Sequence, residues 1–383
     1  MINPGAQVGI AIKSMKYGDT LYTKNERSLF VPASTMKILT AEAALLYLGP
    51  NFKFPTRLVT DARSVSNGTL NGNLFVVHSG DPSLTYNDVA DLLYSLKSQQ
   101  IQKINGNVYI DNTAYDQVNF GPGWIWNDKK NCYGAPINAS IINHNCISFR
   151  ATGLKNNSLG FGSVVTDVMQ NDKNLLQNLF QYFGIHIDGY IIPGTASSKL
   201  AILATHHSKP LSQLITDMLK KSDNIIAGSL FKKIGQLYNR RPGTWENGGT
   251  AVAQILSQNA DLDIWRMNLI DGSGLSRYNQ VTPAQMLKVL DFAYHHNQTN
   301  YEFISALPIA GIDGTLKKRL RNVAWKARAK TGTLSGVRSL AGFAMSADKE
   351  PIAFVIMING RGTTWKYKEL EDKIVTLLTH YTR

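Results

Sequence analysis

The stretch that most constrains this chain is an Ala- and Leu-rich run, Ile38 to Leu46, headed by Ser34-Thr-Met-Lys37 and entered through Phe30-Val-Pro-Ala. Its composition favours a helix, and its scarcity of polar residues calls for burial. Pro32 is tolerated near a helix start, so Ser34 is expected at the N-terminal end. Lys37 follows three residues later, on the same face and beside Ser34. The helix dipole and free N–H groups at such an end can stabilise a developing oxyanion. A serine hydroxyl is a poor nucleophile until a base takes its proton, and a desolvated lysine with a lowered pKa can be that base. The competing reading is a serine N-cap with a solvated lysine in the first turn.

Two further patterns follow in order. Ser222-Asp-Asn224 lies 188 residues after Ser34, and Lys330-Thr-Gly332 lies 108 residues after Ser222. Leu211, Leu214, Ile215, Met218 and Leu219 have helical spacing, and apolar Ile225-Ile-Ala resumes after the tripeptide. Ser222 thus falls on a short connection between two helices. Its hydroxyl can relay a proton, and the Asn224 amide can bind a substrate amide and hold Lys37. A plain helix cap is the alternative use of Ser-Asp-Asn. Val323 to Lys330 alternates as a strand does, and Thr331-Gly-Thr333 is expected to end it or leave an edge. Gly332 permits close backbone approach, Lys330 supplies positive charge, and the Thr331 and Thr333 hydroxyls suit a carboxylate. The N–H groups of Ser34 and Thr333 would form an oxyanion hole.

Decoys show where the specificity lies. Ser346-Ala-Asp-Lys349 has the first spacing but sits between two strand-like runs and precedes Glu350-Pro351, so it reads as a hairpin turn. Ser257-Gln-Asn259 runs into a polar loop. The signal is the trio, its order and its local structure.

Serine, lysine, Ser-Asp-Asn and Lys-Thr-Gly in this order are the motif set of serine β-lactamases and penicillin-binding proteins. The chain resembles the low-molecular-mass class C penicillin-binding proteins, the D-alanyl-D-alanine carboxypeptidase/endopeptidase family. Gly80-Asp-Pro-Ser-Leu-Thr85, Asp271-Gly-Ser-Gly-Leu-Ser-Arg277 and Leu307-Pro-Ile-Ala-Gly311 through Gly314-Thr-Leu316 carry the likeness across nearly the whole chain. The resemblance implies Ser34 as acyl nucleophile, Lys37 as its base, Ser222 and Asn224 in the second element, and Lys330, Thr331 and Thr333 in the third. It implies a peptidoglycan stem peptide ending in D-Ala-D-Ala as substrate and β-lactams as covalent inhibitors. Carboxypeptidase and endopeptidase activity both stay open. The interval from Ser34 to Ser222 is shorter than in larger members of that family, so one inserted domain is expected rather than two.

The expected fold class is therefore α+β: a transpeptidase-like domain, with an antiparallel sheet flanked by helices and a helical subdomain, plus an inserted mixed α/β domain. Ala6–Lys13 and Thr20–Lys24 read as a hairpin, and Trp325–Lys330, Val337–Met345 and Ile352–Ile358 as three more strands. Lys366–Tyr381 reads as an amphipathic helix that packs on the sheet. Residues 1–56 and 206–383 would form the peptidase domain and 57–205 the insert. Leu74–His78, Asn107–Ile110 and Cys146–Arg150 would be strands of that insert, with Asn67-Gly68, Asn71-Gly72 and Asn105-Gly106 marking turns.

Composition narrows the rest. The 383 residues are 43% hydrophobic, enough for two cores. No stretch is long and apolar enough for a spanning helix. The opening residues do not read as a signal peptide, so an exported protein would have had one removed, and a periplasmic or other extracytoplasmic site is expected. Cys132 and Cys146 are the only cysteines, and pairing and two free thiols both remain open. No zinc spacing occurs, and neither a metal nor a cofactor is expected. His206-His207 and His295-His296 read as surface or loop residues. The net charge of +13 favours anionic partners, wall polymers or a membrane surface, without a nucleic-acid motif; a simple solvated basic surface is the other reading. A serine β-lactamase is the alternative enzyme, but the only glutamates between Ser222 and Lys330, Glu246 and Glu302, lack the deacylating-loop context. A wall-binding protein without activity would not need both Ser34 and Lys37.

Overall fold

The structure is a computed structural model that describes residues 5–148, 162–361 and 364–383. The chain opens with hairpin β1 (Gln7–Ser14) and β2 (Thr20–Lys24), then a one-turn 3-10 helix, Ala33–Thr35, that runs into α1 (Met36–Leu48). Next come β3 (Pro55–Thr60), β4 (Val65–Ser66), β5 (Thr69–Leu70), β6 (Leu74–Val77), α2 (Tyr86–Ser98), β7 (Lys103–Ile104) and β8 (Val108–Asp111). A long loop leads to β9 (Cys146–Ser148), β10 (Gly162–Val164), α3 (Val168–Phe183), β11 (His186–Ile187), β12 (Ile191–Pro193) and β13 (Ala201–His207). Helices α4 (Leu211–Lys221), α5 (Asn224–Asn239), α6 (Trp245–Ala260), α7 (Pro283–His295) and α8 (Asn300–Ala306) follow. The chain closes with β14 (Ala327–Leu334), β15 (Val337–Met345), β16 (Pro351–Asn359) and α9 (Thr364–His380).

The two ends of the chain meet in one antiparallel sheet of order β14-β15-β16-β1-β2, with Gln7 opposite Asn359 and Ser14 opposite Ile352. Strand β16 is buried on both faces, so it reads as a continuous apolar run. Its alternate residues sort into separate cores. Ala353, Val355 and Met357 join the large core shared with the helices, while Ile352, Phe354, Ile356 and Ile358 join the core under α9. Helix α1 is buried from Met36 to Leu45 and packs against α4, α5, α6 and α7. This central burial explains the composition of the Ile38–Leu46 run.

Between α1 and α4 lies a five-stranded mixed sheet, β12-β8-β6-β3-β13, and a small four-stranded one, β11-β7-β5-β4. Strands β6, β8 and β12 run parallel, which requires crossovers, and α2 and α3 lie in those connections. The first and last strands of this region, β3 and β13, pair antiparallel, so the chain enters and leaves side by side. A separate core of Leu58, Leu74, Val76, Leu93, Leu176 and others fills it.

Three expectations are refined. The strand expected from Trp325 begins at Ala327, because Trp325 has a left-handed φ of 68° that no ladder accommodates. Of the two expectations for Thr331-Gly-Thr333, the strand end fails and the edge holds: β14 runs through them to Leu334 as the sheet's edge strand. His206 and His207, expected at the surface or in a loop, are surface residues on strand β13, with His207 exposed and His206 part-buried and turned toward Asp81. Of the strand expected at Cys146–Arg150, the last two residues lie outside the described ones.

Candidate active site

Ser34 sits in the 3-10 turn that precedes α1, and its placement depends on Ala33, whose φ of 46° is unusual for a residue with a Cβ. The surrounding backbone holds that turn from two sides. Pro32 O accepts hydrogen bonds from Thr35 Oγ1 (2.7 Å) and from Ser339 Oγ on β15 (2.5 Å). A Cβ on Gly274 would collide with Ala33 O, and one on Gly332 would lie 2.7 Å from Pro32 O and 3.0 Å from Ser34 N. Both glycines are there because another backbone occupies the place of a side chain.

Lys37, fully buried on α1, reaches three oxygens: Asn224 Oδ1 at 2.6 Å, Ser273 O at 2.7 Å and Ser34 Oγ at 3.2 Å. Burial drives its pKa down to about 7, against the opposing pull of Asp271 and then Asp223. A neutral amine has two N–H groups and one lone pair. Two partners here are carbonyl-type oxygens that can only accept, so they take the two N–H groups. Protonated, Lys37 donates to Ser34 Oγ; deprotonated, it turns its lone pair to Ser34, whose O–H can then donate to it. That is the geometry of a base poised on a nucleophile.

The second motif closes the α4–α5 turn. Ser222 caps α4 with a left-handed φ of 60°. Asp223 caps α5, its Oδ1 accepting from Ile225 N (2.8 Å) and Ile226 N (3.0 Å). Asn224 opens α5, and its Nδ2 donates to Tyr133 O at 2.9 Å. The capping role and the contact with Lys37 therefore coexist, on neighbouring residues.

The third motif lies along β14. Alternation sends Lys330 and Gly332 toward Ser34 and turns Thr331 and Thr333 the other way. Lys330 is fully buried, and its Nζ donates to Ser222 Oγ and to Thr331 O, both at 2.8 Å. Burial first, and the Lys37 charge second, hold its pKa well below the ordinary lysine range. Thr331 Oγ1 bonds Thr315 Oγ1 at 2.8 Å, and Thr333 Oγ1 accepts from Arg338 Nη1 at 2.6 Å. Neither threonine hydroxyl is exhausted. The Thr331–Thr315 pair has two protons and uses one between them, and Thr333 keeps its own O–H to donate.

The eight residues singled out by motif thus fall into two hydrogen-bonded groups, Ser34–Lys37–Asn224 and Ser222–Lys330–Thr331, joined through the Ser222–Asn224 turn, with Gly332 packed against Ser34 N and Thr333 next along β14. Sequence reasoning gave no role to what joins them. Asp271, buried, accepts from the backbone N–H groups of Ser273 (3.0 Å), Gly274 (2.7 Å) and Ser276 (2.8 Å), and from Asn279 Nδ2 (3.0 Å) and Trp124 Nε1 (2.5 Å). This carboxylate shapes the loop that brings Ser273 O to Lys37, and Arg277 ties the same loop to Ser335 O at 3.0 Å. The signal was present as Asp-Gly-Ser-Gly, turn chemistry around an acid. Thr315 and the Tyr133 carbonyl left no such signal.

Comparison with known proteins gives one consistent picture. Residues 3–164 and 154–381 match the model of the D-Ala-D-Ala carboxypeptidase 3 (S13) family. A D-alanyl-D-alanine carboxypeptidase of Haemophilus influenzae is 34% identical, over 94% of this chain and 86% of its own. One from Actinomadura is 27% identical, over 98% of this chain and 82% of its own. The crystal structure of penicillin-binding protein 4 from Haemophilus influenzae superposes with a TM-score of 0.91 at 31% identity, covering 99% of this chain and 98% of that one. The same protein complexed with a β-lactam gives a TM-score of 0.86 at 30% identity, covering 99% and 97%.

Proposed function

The chain belongs to the D-Ala-D-Ala carboxypeptidase 3 (S13) family and is a serine-type DD-peptidase, and on that premise we propose that Ser34 is its acylated nucleophile and Lys37 the base. The observation that carries this reading is the Lys37 amine, held by Asn224 Oδ1 and Ser273 O with its remaining valence on Ser34 Oγ. As the Ser34 Oγ–carbon bond forms, its proton passes to the Lys37 amine. The carbonyl oxygen takes up negative charge against the N–H groups of Ser34 and Thr333. The C–N bond to the leaving D-Ala then breaks, and its nitrogen takes the proton that Lys37 had accepted, relayed by the Ser222 hydroxyl, which Lys330 holds, so that Lys37 is neutral again. Water then adds to the ester carbonyl as Lys37 takes its proton, and the Ser34 Oγ–carbon bond breaks with that proton returned to Oγ.

Lys330 supplies the carboxylate site. Lys330, buried and held low in pKa by burial and by the Lys37 charge, is bonded only to oxygen dipoles, and a terminal D-Ala carboxylate supplies the counter-charge that lets it hold a proton. Because β14 is the edge strand of its sheet, a carboxylate at that edge is also within reach of the opposite face, where the O–H groups left on Thr333 and on the Thr331–Thr315 pair can donate to it. A cross-linked stem has its leaving group at the same carbonyl, so endopeptidase action uses the same residues.

Residues 57–205 are read as an inserted unit on a peptidase unit of 1–56 and 206–383. The Cys132–Cys146 disulfide suits an oxidising compartment outside the cytoplasmic membrane. Lys317, Lys318 and Arg321 stand exposed on one loop and suit an anionic wall or membrane surface, to be read as salt-dependent cosedimentation with sacculi or vesicles.

The test is an intact mass after incubation with a penicillin, followed by peptide mapping. A stable adduct on the Ser34 peptide, absent in Ser34→Ala, is expected. Rapid loss of the penicillin without an adduct would favour a β-lactamase instead, and an adduct elsewhere would remove Ser34 from the role.

A further inference from the structure

Two segments between β8 and α3 converge on the Ser222–Asn224 turn, and the Cys132–Cys146 disulfide joins them. The first carries Tyr133, whose carbonyl accepts from Asn224 Nδ2 at 2.9 Å. The second carries His144, whose Nε2 stands 3.3 Å from Asp223 Oδ2. Asp223 thus works on both sides. One oxygen caps α5 through Ile225 N and Ile226 N, and the other faces the histidine.

The backbone that presents His144 is unusual. Asn143, His144 and Asn145 have consecutive left-handed φ values of 49°, 58° and 49°. Such a run persists only when its surroundings over-determine it, and it tends to mark a functional constraint. Here Asn145, fully buried, donates from Nδ2 to Pro136 O (3.0 Å) and Ser140 O (3.1 Å). Asn143 N donates to Leu84 O at 2.9 Å. The turn on the other side is unusual too, since Ser222 is itself left-handed. Two improbable turns therefore face one another across a single ion-pair distance, one of them bearing a residue of the catalytic network.

We propose that His144 is a positioning residue for the acylation reaction: through Asp223 it holds the turn that presents Ser222 and Asn224 to Lys37, and the Cys132–Cys146 bond keeps the two clamping segments in register. This rests on the reading of Ser34 as nucleophile. The groups that face His144 are Asp223 at the start of α5 and Asp217 and Lys221 on α4. Burial disfavours the imidazolium, but Asp223 outweighs it and leaves the histidine pKa raised. On Asp223, burial is in turn outweighed by His144 and the two backbone N–H groups, which leaves the carboxyl lowered. The clamp is therefore complete at low pH and fades as pH rises through the His144 pKa.

The test compares acylation rates of wild type and His144→Ala with a fluorescent penicillin, on the intact chain, across pH. Wild type must first label at Ser34; if it does not, the reading of the site fails and not this one. The wild-type to variant rate ratio is expected to be about tenfold near pH 6 and to close within about twofold near pH 8.5. Titration of Lys37 affects both proteins, and loss of the histidine charge next to Asp223 moves the ratio the same way. His144→Lys keeps a cation there, is expected to recover most of the rate at low pH, and tests the proposal should His144→Ala not fold. Cys132→Ser with Cys146→Ser is expected to lower the rate at every pH. A ratio independent of pH, or no recovery with lysine, would overturn the proposal.

Discussion

Gly332→Ala isolates the close passage of β14 over the Ser34 turn. The added Cβ would stand 2.7 Å from Pro32 O and 3.0 Å from Ser34 N, besides overlapping Ser339 Oγ. Non-bonded heavy atoms need about 3.5 Å. The shortfall is therefore about 0.8 Å against one backbone atom and about 0.5 Å against another. Neither can rotate away, because Pro32 O is pinned by Thr35 and Ser339. The strand must move outward by roughly that amount, carrying Thr333 N–H with it, and overpacking of this kind costs about 1–3 kcal/mol of stability. A misplacement near 1 Å at a reacting centre costs on the order of a hundredfold in rate, about 2.7 kcal/mol. We expect acylation by a reporter penicillin to fall between about thirtyfold and a hundredfold, with the near-ultraviolet circular dichroism of the native fold retained. Adding Ser339→Ala relieves the side-chain overlap and removes one of the two hydrogen bonds on Pro32 O, but Thr35 still holds that oxygen and both backbone collisions remain, so it does not restore the rate. An acylation rate within about threefold of wild type would refute the argument that strand and turn are held at contact distance.

Lys37→Ala should lower acylation by several orders of magnitude, and Lys37→Arg should not rescue it, because a guanidinium does not deprotonate; near-normal rates in either would make Lys37 structural. Wild-type acylation should climb as pH rises through about 7, where burial leaves the Lys37 amine free to accept a proton. A rate that climbs only above about pH 9 would place the base elsewhere. Lys330→Ala should weaken substrates that carry a terminal carboxylate far more than esters that lack it, compared by kcat/KM; equal losses would point to a structural role.

What could be read from the sequence was what is local. A helix headed by Ser34, a turn between two helices at Ser222 and a strand bearing Lys330 each follow from a few neighbouring residues. The antiparallel sheet was also readable, because β1, β15 and β16 are apolar-rich runs of strand length bounded by turn signals. Strand β14 was harder: its glycine resembles a terminator until Pro32 and Ser34 are seen to fill the space beside it. The loops that join the motifs were not readable in function. Asp271 is a turn acid like many others until Ser273 O is placed on Lys37, 236 positions away in sequence. The pairing of Cys132 with Cys146 was equally open, since a 14-residue separation allows a bond without requiring one.

The Lys37 pKa shows why those loops matter chemically. Burial alone would favour the neutral amine more strongly than the site does, and Asp271 and Asp223 pull it back to about 7. Neither acid touches Lys37. Asp271 spends its hydrogen bonds on shaping one loop, and Asp223 spends its own on capping α5. Each therefore sets the position of a Lys37 acceptor, Ser273 O or the Asn224 amide, and adds a negative charge to the field at the same amine. Geometry and basicity are coupled through the same two carboxylates. A substitution that loosens either loop must then change how often the lone pair faces Ser34 and how often it is free of a proton. That coupling requires Lys37 to be buried where the Ser222–Asn224 turn and the Asp271–Ser273 loop meet α1.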